Sequence, residues 1–440
     1  MRKRILIVAG YFVVIFLPAC RQQTSPEALN KFYESKLPEW NGKLTQVIIQ
    51  DIFSPAVCSR IYAYTNIAAY EALRSQYNYP SYAGRLHDLT TLPAPAQGKQ
   101  YCYPVSSIIA FTTVAQKMVF SGGLVVTMEK DFLKQLDSLN VNKALLDSSI
   151  AYGRQVGNHI LAWAAQDGYL QRNSMTAYIV TKEAGRYQPT PPNYIDAIET
   201  NWKTLRLFVL DSAAQFRPPP PTKYDTTKGS AFYKEAYQVY EGVKNSKQGD
   251  SATAWYWDDN PNTSVTNGHV TFFQQKNSPP GHWIFIACSV AEKEKFNPMK
   301  TASLISTTAI AIADGFISCW EAKYMYNYIR PETFINNYID KDWLPLIQTP
   351  SFPEYPSAHS VASSSASTIL TKMVGENYAF TDSNEVPFGR PTRNFKSFYD
   401  AADQASISRF YGGIHFINAI EKGKVEGRSV GNFIFSKLKW

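Results

Sequence analysis

Charge is sparse in this chain. Asp, Glu, Lys and Arg make up 18% of its 440 residues, and no run of basic side chains occurs beyond residue 4. A nucleic-acid binder would cluster its positive excess on a helix or an arm, so that class of partner is excluded. The formal charge is +8, of which the first 20 residues hold three basic side chains and no acid, leaving +5 for the remainder. Cysteine is scarce as well, at five residues with no CxxC pair and no metal-ligand spacing, which excludes a thiolate metal centre. Alternation of polar and apolar residues is nearly absent, excluding a sheet-based fold. There is no internal repeat, and the one low-complexity run, Ser363 to Ser367, sits inside a helical pattern.

The opening apolar run, Ile5 to Phe16, is shorter than the roughly 20 residues a membrane-spanning helix needs. With Arg2, Lys3 and Arg4 before it and Leu17-Pro18-Ala19-Cys20 after it, it reads as an export signal of the lipoprotein type. Residues 1–19 would be removed and Cys20 would carry the lipid, so the expected location is outside the cytoplasm, lipid-anchored and facing the periplasm or cell surface. Cys58, Cys102, Cys288 and Cys319 then remain, enough for two disulfides in an oxidising compartment or else four buried thiols.

With 45% hydrophobic and 14% aromatic residues, the chain can bury a large core. Apolar residues recur at three- and four-residue spacing over Ile61 to Leu73, Ile108 to Val119, Lys130 to Leu139 and Lys143 to Ala165, which predicts helices. Pro189, Pro191, Pro192 and Pro218 to Pro221 then mark an irregular connection. Residues 21–185 are thus read as an N-terminal helical half, 186–222 as a connecting surface loop, and 223–440 as a C-terminal helical half. A further helix is expected at Ser230 to Val243, and a turn at Asp258 to Pro261. The strongest element is Met299 to Ile329, where Leu304, Thr308, Ile312, Phe316 and Trp320 form one buried stripe that Pro331 ends. The expected fold class is all-α, a large helical bundle with its active site between helices of the C-terminal half.

Three segments carry chemistry. Lys323 and Arg330 stand seven residues apart, close to two helical turns, so one face would present both cations; alone, such a spacing is usually a solvated face. Pro356-Ser357-Ala358-His359 precedes the helical run Val361 to Met373, so Ser357 reads as an N-cap or as part of an anion seat at a helix start. Ser408-Arg409 leads through Gly412 and Gly413 to His415, and the glycines allow Arg409 and His415 to converge. Together the segments hold three cations, a hydroxyl, a helix start and two imidazoles, an inventory suited to a phosphate-like centre with an axial nitrogen and an acid/base.

In this order the segments resemble the signature shared by type 2 phosphatidic acid phosphatases, bacterial acid phosphatases and vanadium-dependent haloperoxidases: Lys-X6-Arg-Pro, Pro-Ser-Gly-His and Ser-Arg-X5-His. Ala358 departs from the pattern's glycine, and its methyl group narrows one approach to the anion. The resemblance implies a vanadate cofactor, with phosphate taking the same cations in its absence. Lys323, Arg330 and Arg409 would neutralise the equatorial oxygens, while Ser357 and the Ala358 amide would hydrogen-bond to them. His415 would be the axial metal ligand and His359 the acid/base. Asp258 or Asp259 would brace Arg409.

Trp320, Phe352, the segment Trp257 to Pro261, and Pro279 to Trp283 resemble the haloperoxidase branch, with Trp320 and Phe352 as halide or outer-shell residues. That branch implies oxidation of a halide by hydrogen peroxide to hypohalous acid, the vanadium keeping its oxidation state. The alternative is a secreted phosphatase working through a phosphohistidine at His415. Bromide-oxidising members carry a histidine where this chain has Ala366, so the expected halide is iodide, with little bromide and no chloride oxidation. Oligomeric state is not legible in the sequence.

Overall fold

The computed structural model describes residues 31–438 with the exception of residue 262. The expected export signal and lipid-bearing Cys20 fall on residues 1–30 and lie outside the described residues. The N-terminal half comprises α1 (Lys36–Asp51), α2 (Pro55–Leu73), α3 (Tyr103–Met118), α4 (Gly122–Ser138) and α5 (Lys143–Ala164). The C-terminal half comprises α6 (Ala231–Lys244), α7 (Gln248–Tyr256), α8 (Pro279–Lys293), α9 (Pro298–Tyr326), α10 (Pro331–Tyr338), α11 (Ala358–Val374), α12 (Phe398–Tyr411) and α13 (Ile417–Lys437). Two small antiparallel hairpins pair β1 (Ser264–Asn267) with β2 (Val270–Phe273) and β3 (Phe380–Asp382) with β4 (Arg393–Phe395). The all-α expectation holds; the hairpins are too short to show as alternation.

Helix starts follow local chemistry. Ser54, Ser230, Ser278, Asn297 and Ser357 each accept a first-turn amide on their side chain, satisfying a donor that has no intrahelical partner. Pro55, Pro279 and Pro298 follow three of these caps, where a missing N–H costs nothing. This extends α2 six residues upstream of the apolar pattern. Periodicity gave no warning of α7 or α8, and within the stretches expected to be helical it drew no individual helix at α1, α10, α12 or α13. In α8 and α12 burial is spread around the helix, so no single stripe marks them.

Helix α9 is the axis of the molecule. It packs against α2 on one side and α11 on another, so both halves share one continuous core. By length and by its mean hydropathy of 1.5 it could cross a membrane, yet that stretch is wholly buried inside the protein. It also ends earlier than expected. Asn327 turns left-handed at φ 47°, its amide bonds to Lys323 O at 2.8 Å, and Tyr328 pairs with Arg186 as an isolated bridge. The Gly185–Tyr187 backbone captures residues 327–329 through two further amide bonds, so the helix stops at Tyr326 and not at Pro331.

The connection at 186–222 is irregular and mostly half-buried or exposed, as expected of a surface excursion, but part of it is anchored in the core. Trp202, Phe208, Val209 and Leu210 are buried within it. The reason is Asp314 in the middle of α9, whose carboxylate accepts the amides of Phe208, Val209 and Leu210 at 2.7, 2.8 and 3.0 Å. Burial pushes this carboxyl up to about 6, against the pull of those three amides.

The serine run of α11 also has a structural purpose. Gly423, Gly427 and Gly431, four residues apart on α13, face Ser360, Ser364 and Thr368 on α11. A Cβ at Gly427 would lie 2.8 Å from Ser364 Cβ, and one at Gly431 2.7 Å from Thr368 Cβ, so only glycine permits this close approach. The four described cysteines are unbridged, with Cys58, Cys288 and Cys319 buried. The structure thus takes the thiol alternative over the two disulfides.

Two outcomes follow. Gly427→Val should lower stability by roughly 1–3 kcal/mol through overpacking, read from the urea midpoint; an unchanged midpoint would show that the seam can open freely. Cys319 has no accessible surface, and burial raises its thiol pKa far above the ordinary range, so a maleimide added to the native protein should leave it unlabelled until denaturant is present.

Candidate active site

The three sequence segments converge at the C-terminal end of α9. The pocket there is lined by Trp320 and Phe352, by Ala358 and His359 at the start of α11, by Arg409 near the end of α12, and by Ile414 and His415 just beyond it. Asp258, Asp259, Asn260, Gln348 and Pro279 are also part of the wall. Gly413 makes the last turn possible: at φ 80° it occupies the left-handed region, and a Cβ there would press on Trp343 and Val243. The chain therefore doubles back at once, with Ile414 N bonding to Arg409 O at 3.1 Å.

Lys323 and Arg330 do not share a helical face, because α9 ends between them. Lys323 stays on α9, whereas Arg330 lies on extended backbone as the residue before α10. Both are fully buried, and so, within 1%, is Arg409. Their partners are mainly backbone carbonyls. Lys323 Nζ donates to Pro353, Glu354 and Pro356 O at 2.9, 3.0 and 2.6 Å. Arg330 donates from Nε to Phe352 O and from Nη1 to Ile414 O, both at 2.9 Å. Arg409 donates from Nε to Ser408 Oγ and from Nη2 to Ala254 and Trp257 O. None of the three forms an ion pair among the described residues, and Arg330 Nη2 is buried without a partner.

Burial lowers the pKa of all three cations, Lys323 to about 8 and Arg330 to about 10. The three N–H groups of Lys323 are all spent on carbonyls, so this side chain braces the Phe352–Pro356 strip and adds charge. Direct donors toward an anion come from elsewhere: Arg330 Nη2, the Ser357 hydroxyl, and the first amides of α11, which have no intrahelical acceptor. Ser357 is at once the N-cap, accepting from Ser360 N at 3.4 Å, and a side chain with its own proton free to donate.

His415 is held by Glu354, which the sequence reading did not single out. Its Nδ1 lies 2.7 Å from Glu354 Oε1, and the same oxygen accepts the Phe416 amide at 2.9 Å. Nε2 faces Arg330 Nη1 at 3.2 Å. Arginine can only donate, so Nε2 is the acceptor and Nδ1 carries the proton. That tautomer leaves Nε2 unprotonated on the pocket wall, with its lone pair accepting from Arg330 Nη1. Burial, then Arg330, Lys323, Arg409 and His359, hold His415 well below the ordinary imidazole range, so the ring is neutral. A ligand histidine needs an acceptor behind it, and an acid inside a Pro- and aromatic-rich strip was the available signal for Glu354.

His359 is also neutral, held well below its usual range by burial and by Arg409, His282 and Lys323. Its Nε2 has no partner in the protein, and the ring hydrogen-bonds to the Trp257 backbone. The Trp257 carbonyl, which also accepts from Arg409, thus ties together two of the sequence-predicted residues. Trp320 and Phe352 do meet, with ring centroids 5.0 Å apart, and Lys323 Nζ lies 5.0 Å from the Phe352 ring centre. Asp258 and Asp259 do not brace Arg409 directly: Asp258 pairs with Lys276, and Asp259 with His282 at 3.0 Å. They favour the guanidinium only through their charge. Arg409 is gripped by carbonyls, whose fixed dipoles do that work without neutralising it.

Residues 338–439 match the family described as the VCPO second helical-bundle domain. The chain is similar to the crystal structure of a bacterial vanadium-dependent iodoperoxidase, at 42% identity and a TM-score of 0.86, over 92% of this chain and 96% of that one. It also resembles the holo and apo crystal structures of a bacterial vanadium-dependent chloroperoxidase, at TM-scores of 0.63 and 0.65. These matches cover 88% and 89% of this chain and 93% and 97% of theirs. At 13% and 15% identity those two show the shared fold alone. No curated protein sequence matches the chain.

If Glu354 fixes the His415 tautomer, Glu354→Leu should weaken binding of orthovanadate by roughly 10–100-fold, with Glu354→Gln intermediate because its amide oxygen can still accept. Titration calorimetry on folded variants checks this, and wild-type affinity in the leucine variant would remove Glu354 from the site.

Proposed function

The chain belongs to the vanadium-dependent haloperoxidase family, and from that premise we propose that it oxidises iodide with hydrogen peroxide to hypoiodous acid. The observation that carries this reading is the pair of neutral imidazole nitrogens, His415 Nε2 and His359 Nε2, set beside three buried cations that no carboxylate neutralises. A tetrahedral oxyanion fits this environment: it would satisfy the orphaned Arg330 Nη2 and offset the buried positive charge.

In this reading His415 Nε2 would hold the vanadium. Arg330 Nη2, Ser357 Oγ, Arg409 and the amides of Ala358 and His359 would hold its oxygens, and Lys323 adds charge through the Phe352–Pro356 strip. Bound there, vanadate would supply Lewis acidity toward hydrogen peroxide without a change in its own oxidation state. His359 Nε2, neutral and unpartnered, takes a proton from incoming peroxide and can return it. Trp320 and Phe352 form the apolar wall that keeps bulk water from the reacting atoms. The residues that would make this pocket a phosphatase are the same ones, but the relative at 42% identity is a peroxidase, and the phosphatase reading is not favoured. Export and lipid attachment at Cys20 are part of the proposal, supported by the sequence of residues 1–20 and checked by the mass of the mature N-terminus.

Protein stripped of vanadate by chelator and phosphate should form triiodide from iodide and peroxide only after orthovanadate is added back; activity indifferent to vanadate would refute the reading. His415→Ala should lose vanadate affinity, whereas His359→Ala should keep it and lose turnover by a factor on the order of 10²–10⁴. Equal loss of binding in both would mean the two roles are misassigned. Steady-state rates at matched peroxide should rank iodide first, bromide far behind and chloride at background, and efficient chlorination would overturn the halide assignment.

A further inference from the structure

We propose that a buried group formed by Glu385, His282 and Asp259 delivers the proton that each turnover consumes. The inference rests on the haloperoxidase reading above, whose stoichiometry demands such a donor: iodide, hydrogen peroxide and one proton give hypoiodous acid and water. Iodide loses two electrons as the O–O bond breaks. One oxygen leaves bonded to iodine, and the other leaves as water with the added proton. His359 can take a proton from peroxide and hand it back, but that exchange supplies none. Nor do the pocket imidazoles hold a spare one, since both are neutral.

A proton-holding group stands directly behind the pocket wall. His282 is fully buried, with Nδ1 3.0 Å from Asp259 Oδ2 and Nε2 2.7 Å from Asp382 Oδ2. Asp382 is further fixed as an acceptor by the Asn384 amide at 3.0 Å. A ring between two carboxylates donates from both nitrogens and is therefore an imidazolium. Burial opposes that charge, but Asp259 and Asp382 outweigh it and hold the ring well above its usual range. Ligand atoms of Asp259, His282 and Glu385 lie within 4.8 Å of one another. Burial, with Asp259 beside it, pushes the Glu385 carboxyl up to about 8, so it too carries a proton at neutral pH. Asp258 with Lys276, Tyr256, Arg393, Arg409 and His359 are the other charged or titratable neighbours of this group.

The group has an inner and an outer end. Asp259 lines the pocket, and its Oδ1, on a side chain only 2% exposed, has no hydrogen-bond partner in the protein. An unpartnered buried carboxylate oxygen on the pocket wall is where a proton can be handed on. At the outer end Asn384, which donates to Glu385 at 2.7 Å, lines a separate cavity between α1 and α8. A proton passes from His282 Nδ1 to Asp259 and into the pocket; the hydroxyl proton of Glu385 restores the imidazolium, and Glu385, itself 8% exposed beside the outer cavity, is reprotonated from solvent.

Glu385→Gln keeps the size and polarity of the side chain and removes its proton. In the vanadate-loaded enzyme at neutral pH, the variant should retain orthovanadate affinity and peroxide KM within about twofold, lose about tenfold in kcat for iodide oxidation, and show a larger solvent deuterium isotope effect than wild type. His282→Gln should change kcat and the isotope effect in the same direction. Unchanged kcat and isotope effect in both variants would overturn the proposal. So would parallel losses of kcat and vanadate affinity, which would mark the group as structural support. Failure of the wild-type protein itself to oxidise iodide after vanadate loading would sink the haloperoxidase reading, a result distinct from either.

Discussion

Three cations buried at one spot without a carboxylate salt bridge among them are the constraint on which the rest of this structure depends. Moving a charge out of water is costly unless it is paired or well solvated by dipoles. Here the solvating dipoles are peptide carbonyls: Pro353, Glu354 and Pro356 for Lys323, Phe352 and Ile414 for Arg330, Ala254 and Trp257 for Arg409. Carbonyls stabilise the cations without cancelling them, so the positive charge stays available to an anion. A carboxylate in each place would have made a tighter ion pair and a neutral pocket.

That solution dictates what the fold has to supply. Carbonyls not already used by helices occur at helix ends and in loops, so the site must be assembled from chain segments that stop being helical. Helix α9 ends at Tyr326, α7 at Tyr256 and α12 at Tyr411, and the strip from Phe352 to Pro356 is irregular. The long α9 and the glycine seam between α11 and α13 keep these ends in register. Lys323 serves this assembly as much as it serves an anion, since its three donors hold the irregular strip in place.

Concentrated positive charge also governs the imidazoles. His359 and His415 are both kept neutral by burial and by nearby cations, which suits one to bind a metal and the other to accept a proton. His282, outside the pocket and between two aspartates, is held in the opposite state. The same side chain thus appears in two protonation states in neighbouring sites, decided by which charges surround it.

The sequence by itself determined the all-α class, the central helix and most of the pocket. Periodicity reports which residues face a core, and Lys323, Arg330, Ser357, His359, Arg409 and His415 sit in segments whose combined order resembles one family. It did not determine where α9 ends, because Asn327 and the Gly185–Tyr187 backbone act from 140 residues apart, and so it put Lys323 and Arg330 on one face. It did not show that 186–222 is anchored in the core through Trp202 and Phe208 to Leu210, since three amides reaching for Asp314 leave no pattern in side chains. Glu354, the Trp257 carbonyl and the partners of Asp258 and Asp259 were invisible for a shared reason. A hydrogen bond across distant segments depends on where backbones pass, and side-chain identity alone does not encode that. Tertiary structure decided those contacts, and with them the tautomer of His415 and the grip on Arg409.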